Sequence, residues 1–146
     1  MQKDFRLESV HKYKKHILDL ERDKLLYLFN IKDELECRKN EIIEKINLNK
    51  TEIEELKKRG DFTFIELYEK YINNLYTQHQ KVCKYIESVD REIEKQRKIV
   101  LEARTEKLVL DNLETKHIES YKAFQRKMEE KFIDEINSIH YGYKDI

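Results

Sequence analysis

Lys57-Lys58-Arg59-Gly60-Asp61-Phe62-Thr63-Phe64-Ile65-Glu66 is the stretch that punctuates an otherwise helical text. Three cations suit the last turn of a helix, where they face the negative end of its dipole. A glycine just beyond them suits the left-handed position that closes such a turn. Thr63 and Glu66, three apart, have the spacing of a capping box, and Phe62 and Leu67 flank it as a hydrophobic staple would. The segment predicts two helices, about 5–59 and about 63–140, joined by a turn at about 60–62.

Downstream of the turn, residues spaced alternately three and four apart read Ile65, Tyr68, Ile72, Leu75, His79, Val82, Ile86, Val89, Ile93, Gln96, Val100, Ala103, Lys107 and Leu110. Only His79, Gln96 and Lys107 are polar. A seam held at a strict 3.5-residue spacing marks a coiled coil, because an ordinary surface helix drifts off its partner at 3.6. Upstream the stripe is looser: Leu7, Val10, Ile17, Leu28, Ile31, Leu35, Ile42, Ile46, Ile53 and Leu56. A short turn makes the helices antiparallel neighbours. Positions equidistant from it then coincide, setting Leu56 by Ile65, Ile53 by Tyr68, Ile46 by Leu75, Ile42 by His79, Leu35 by Ile86 and Leu28 by Ile93. The expected fold is all-α: a single domain, 1–146, of two long helices forming an antiparallel coiled-coil hairpin.

The arms are unequal. Leu7 pairs near Glu114, and the rest of the second helix has no companion. After a stutter from Leu110 to Leu113 the apolar stripe continues as His117, Tyr121, Phe124, Met128, Phe132, Ile136 and Ile139. That predicts a C-terminal helical overhang of about 40 Å at 1.5 Å per residue. Such a stripe calls for a cover: a foreign protein, a second copy or the hairpin itself.

Composition agrees with a rod rather than a thick globule. Of 146 residues, 41% are charged and 39% apolar; proline is absent, and the glycines are Gly60 and Gly142. The polarity is not that of a disordered chain, since nine tyrosines and six phenylalanines are present. Thirty basic and thirty acidic side chains cancel, leaving no large field to attract nucleic acid or an anionic membrane. No stretch approaches the roughly 20 apolar residues of a membrane span, and the N-terminus lacks an apolar signal segment, so the expected location is cytosolic. Cys37 and Cys83 lack metal-ligand spacing and are expected to be thiols.

No catalytic motif is present. The histidines His11, His16, His79, His117 and His140 are scattered, and no phosphate loop or nucleophile motif occurs. A two-stranded coil has no concave interior in which Glu52, Glu54 or Glu55 could acquire a catalytic pKa. His79 reads as a tolerated seam residue, and the cluster Lys12, Lys14, Lys15, His16 as a solvated face. The expectation is a protein that is not an enzyme, binds no cofactor or metal and works by binding other proteins.

Both ends of the chain carry a resemblance. Phe5-Arg6-Leu7-Glu8-Ser9-Val10 followed by a lysine-rich stretch resembles the start of the flagellar export protein FliJ family. Tyr71-Ile72-x-x-Leu75 is similar to the aromatic-Ile-x-x-Leu found just after the turn in that family. Leu101-Glu102-Ala103-Arg104-x-Glu106-Lys107-x-x-Leu110-x-x-Leu113-x-x-Lys116, with Tyr121 beyond, is similar to its C-terminal stretch. Each motif is weak alone, but together they cover nearly the whole chain.

The resemblance implies a cytoplasmic component of the flagellar type III export apparatus, folded like the central stalk of rotary ATPases and peripheral at the cytoplasmic face of the export gate. It implies that the joined ends enter and activate the hexameric export ATPase FliI, through Leu7, Val10, Ile17, Tyr121, Phe124, Met128 and Phe132. It further implies a surface for the export gate protein FlhA centred on Tyr71 and Leu75. Gln78 and Val82 continue that surface where other members carry a small residue and a histidine. Export chaperones are further implied partners. An injectisome stalk homologue and a self-dimerising tether are the competing readings.

Overall fold

The computed structural model describes residues 2–144, with side chains described to residue 142. Among the described residues there are two helices, α1 (Glu8–Arg59) and α2 (Ile65–Lys144), and no strand. The chain divides into two compact units, Leu20–Val100 and Met1–Asp19 with Leu101–Ile146.

The Leu20–Val100 unit contains the turn. Gly60 has φ 74°; its N–H donates to the Lys57 carbonyl (3.1 Å), and the Asp61 N–H donates to the Leu56 carbonyl (3.0 Å). These two bonds are the Schellman closure, in which orphan carbonyls at the helix end are satisfied by a left-handed glycine. The start of α2 departs from the expected cap. The Asp61 carboxylate accepts the Thr63 N–H at 3.2 Å, α2 begins at Ile65, and the Glu66 carboxylate reaches Lys70 at 3.6 Å. An Asx turn from Asp61 has taken the place of the Thr63–Glu66 box, because a carboxylate two residues upstream competes for the same backbone donor. Phe62 and Leu67 are 66% and 62% exposed, so no staple is buried between them.

Away from the turn, Ile42, Ile46, Ile53, Ile65, Ile72, Leu75, Val82 and Ile86 form one core cluster, with Leu35, Leu56 and Tyr68 packed against it. Contacts at successive levels join later residues of α1 to earlier residues of α2. Lys50 sits 5.3 Å from the Tyr76 ring centroid, the Lys32 ammonium is 2.8 Å from Asp90, and the Arg97 guanidinium lies 5.5 Å from the Phe29 ring. The buried Gln96 amide donates to both the carbonyl (3.0 Å) and the carboxylate (2.5 Å) of Glu21.

Burial along α2 falls on every position of the expected seam, from Ile65 to Val100. Burial along α1 is more regular than its apolar residues suggest. Glu21, Leu25, Leu28, Lys32, Leu35, Lys39, Ile42, Ile46, Asn49, Ile53 and Leu56 are buried or half-buried, alternating steps of four and three. The looser apolar stripe is thus part of a regular line of burial in which charged residues take several positions, held by partners such as Asp90 and Gln96.

In the other unit the same alternation runs through His11, Lys14 and Leu18 on α1, and through Ala103, Lys107, Leu110, Glu114, His117 and Tyr121 on α2. Two expectations are corrected here. Leu18, at 2% exposure, occupies the seam position, while its neighbour Ile17 is half-buried at the flank. The expected stutter at Leu110–Leu113 does not occur: Leu113 is 40% exposed, and Glu114 holds the next seam position because His11 gives it a polar partner.

Candidate functional site

The first candidate surface lies in the Met1–Asp19 and Leu101–Ile146 unit. Its base is polar. His11 is 3% exposed, with Nε2 2.5 Å from Asp111 Oδ1 and Nδ1 2.7 Å from Glu114 Oε2. Lys14 pairs with Glu106 at 2.7 Å, and Lys107 reaches Asp111 at 3.4 Å. Ahead of α1, the Phe5 ring stands between two histidines, edge-on to His11 (6.3 Å) and tilted against His117 (5.8 Å). His117 Nε2 donates to the Lys3 carbonyl at 3.2 Å, which ties this leading segment to α2.

Beyond Tyr121, which is half-buried, every described residue of α2 is exposed. The exposed set includes Phe124, Met128, Phe132, Ile133, Ile136 and Ile139. Of the seven residues that the family resemblance assigns to an ATPase, Phe124, Met128 and Phe132 lie on this bare stretch. Leu7 and Val10 are 40% and 43% exposed near the start of α1, and Ile17 and Tyr121 are half-buried. Leu7 also lines a groove with Phe5, Arg6, Leu113 and His117. All seven belong to one unit.

The second candidate surface belongs to the Leu20–Val100 unit. Asn49, Phe64, Leu67, Tyr68 and Tyr71 line a shallow depression close to the turn, with Phe64, Leu67 and Tyr71 exposed at 55%, 62% and 44%. Of the four residues assigned to a gate protein, Tyr71 and Gln78 are exposed. Leu75 and Val82 are each 3% exposed inside the core cluster, so their side chains pack the helices and do not offer a surface. In the sequence, Leu67 reads only as a residue of the hydrophobic staple and Phe64 has no assigned role. Their signal was two large apolar side chains standing off the seam frame.

Among the described residues no group of three or more His, Cys, Asp or Glu could hold a metal ion, and no helix is long and apolar enough to cross a membrane. Cys37 is exposed, Cys83 is half-buried, and both are free thiols.

The ion pairs carry a pH signature. The hydrogen bond from His11 holds the Asp111 carboxyl below the usual aspartate value, and that from Gln96 does the same for Glu21. A carboxyl depressed in the folded state adds stability above its unfolded value, near 4, and that stability is lost as pH falls below it. The Glu106 and Asp90 partners raise Lys14 and Lys32, whose contributions are full below the ordinary lysine value of 10.5 and are lost above it. Thermal melting temperature is therefore expected to hold between about pH 5 and 9 and to fall on acidification. Asp111→Asn and Glu21→Gln should each flatten the acid limb; an unchanged limb in both would mean these contacts do not bear on folding.

Comparison with known protein families, curated proteins and solved structures finds no match to this chain.

Proposed function

We propose that the chain is an antiparallel coiled-coil hairpin that serves as a non-enzymatic, central-stalk-like adaptor of a type III protein export apparatus. In this reading it binds and activates the hexameric export ATPase FliI through its joined ends, and meets the export gate protein FlhA near the turn. The hairpin is supported by the Schellman closure at Gly60 and by the level-by-level contacts from Lys50–Tyr76 to Gln96–Glu21. The flagellar assignment is supported by the Phe5-Arg6-Leu7, Tyr71-Ile72-x-x-Leu75 and Leu101-Glu102-Ala103-Arg104 resemblances. A cytoplasmic location, peripheral at the gate, belongs to the same proposal.

The observation that carries the binding role is the apolar stripe of α2 past Tyr121, which none of the described residues covers. Full burial of a side chain such as Phe132 yields about 1.5–3 kcal/mol, so several together can drive docking even after ordering costs. Two separate exposed apolar surfaces, one on each unit, suit a protein that joins two partners. The test is ATP hydrolysis by purified FliI with and without the chain. Stimulation is expected, and no stimulation at any ratio would refute the ATPase arm of the proposal.

A further inference from the structure

The stripe beyond the seam has a symmetry of its own. Tyr121, Phe124, Met128, Phe132, Ile136 and Ile139 are separated by steps of three, four, four, four and three, a spacing that reads the same in both directions about residue 130. At 100° per residue all six fall within about 120° of arc, and the mean step is that of a straight helix rather than of a coiled-coil seam. Glu130 itself projects on the far side. Two such helices laid antiparallel about this midpoint set Tyr121 opposite Ile139, Phe124 opposite Ile136 and Met128 opposite Phe132, leaving none of the six without a counterpart.

Charge selects the same direction. Between Tyr121 and Met128 the charged residues are Lys122, Arg126 and Lys127, all positive; between Met128 and Ile139 they are Glu129, Glu130, Asp134 and Glu135 against the single Lys131. About the midpoint at Glu130, residues 121–129 therefore carry a net of two positive charges and residues 131–139 a net of one negative. A parallel pair sets like halves together, whereas an antiparallel pair sets opposite halves together and aligns the helix dipoles favourably. On the antiparallel register Lys127 lies on the same edge as Asp134 and Glu135 of the second copy. Phe124, Met128, Phe132, Ile136 and Ile139 are 38–64% exposed, so they are free to be covered.

We propose that a second copy of this chain covers the stripe, in an antiparallel, two-fold symmetric pairing of the segments from Tyr121 to Ile139. The contact runs about 27 Å along the helix. The area it removes from water is roughly 1,000 Å² in the pair, the lower end of what a specific interface buries. The dimer is accordingly weak enough to yield its stripe to a tighter-binding protein. The inference does not depend on the identity of any such protein, because it is read on the chain alone.

Sedimentation equilibrium of the full chain at about 100 µM should give twice the 18.0 kDa chain mass. Added salt should weaken the dimer by screening opposite halves. Phe132→Asp should weaken it by a hundredfold or more without loss of helicity, since Phe132 is largely exposed in the single chain. Lys127→Glu should weaken it about tenfold, and the charge swap Lys127→Glu with Glu135→Lys should restore it. With Cys37 and Cys83 replaced by serine, Phe124→Cys and Ile136→Cys chains should cross-link to each other, and Ile136→Cys chains should not cross-link among themselves. A monomer at that concentration, a dimer indifferent to Phe132→Asp, or Ile136→Cys self-linkage with salt strengthening the dimer would each overturn the proposal.

Discussion

Leu75→Asp is expected to abolish most of the helical circular-dichroism signal at room temperature, whereas Tyr71→Asp, one turn earlier on α2, keeps it. Leu75 is 3% exposed in the central cluster, among Ile42, Ile46, Ile72 and Val82. A carboxylate there has no cation within the cluster to pair with. Leaving a charge buried and unpaired costs about 3–5 kcal/mol in addition to the lost apolar packing. A native chain has only about 5–15 kcal/mol of stability to lose, so one such change removes much of it. Leu75→Ala should be milder, costing about 2–5 kcal/mol by deletion of buried methyl groups. Tyr71 is 44% exposed and lines an open depression, where an added charge stays in water. Urea denaturation of the three variants checks the order; equal loss from Tyr71→Asp and Leu75→Asp would mean that the burial described here does not govern folding.

The second large effect is on export-ATPase turnover. Removal of residues after Thr115 is expected to eliminate stimulation of FliI altogether, because it deletes the bare stripe together with Tyr121. The cut also removes His117, which holds Phe5 and the Lys3 carbonyl, so loss of activity alone would not distinguish stripe from anchor. Phe132→Asp separates them. It lies beyond the seam, is 64% exposed and leaves His117 and the His11 cluster intact. It should reduce stimulation at least tenfold while the melting temperature stays unchanged. Full stimulation by Phe132→Asp would place ATPase contact elsewhere than on the stripe.

These expectations show where the sequence was informative. The seam of α2 was legible from Ile65 to Leu110 because its occupants are mostly apolar and keep one spacing. The seam of α1 was not, because Glu21, Lys32 and Lys39 occupy it. Periodicity of apolar residues cannot register a position filled by a charged stem whose head pairs with Asp90 or Gln96 across the helices. Carrying the frame of α2 back through the turn would have found each of them. The same blindness made Leu113 look like the continuation of the stripe where Glu114 takes the seam position, since a spacing rule does not register that the buried His11 offers a glutamate a partner there. Near the turn, Thr63 and Glu66 had the spacing of a cap, yet the Asp61 carboxylate takes the Thr63 N–H. Local signals of equal type are decided by geometry that a spacing rule does not contain.

The candidate surfaces divided similarly. Phe124, Met128 and Phe132 were readable as bare because the arms are unequal in length. Leu75 and Val82 lay on the seam by periodicity and on a proposed partner surface by resemblance, and their burial places them in the packing. Phe64 and Leu67, exposed beside Tyr71, extend the turn-end surface in a direction that resemblance alone did not indicate.

The account turns on two separate apolar surfaces serving two different proteins, and binding of purified FliI and FlhA to immobilised chain tests that most directly. Phe124→Asp is predicted to lose FliI and keep FlhA, and Tyr71→Asp to lose FlhA and keep FliI. Retention of both partners by both variants, or joint loss of both by either one while the helices remain folded, would contradict it.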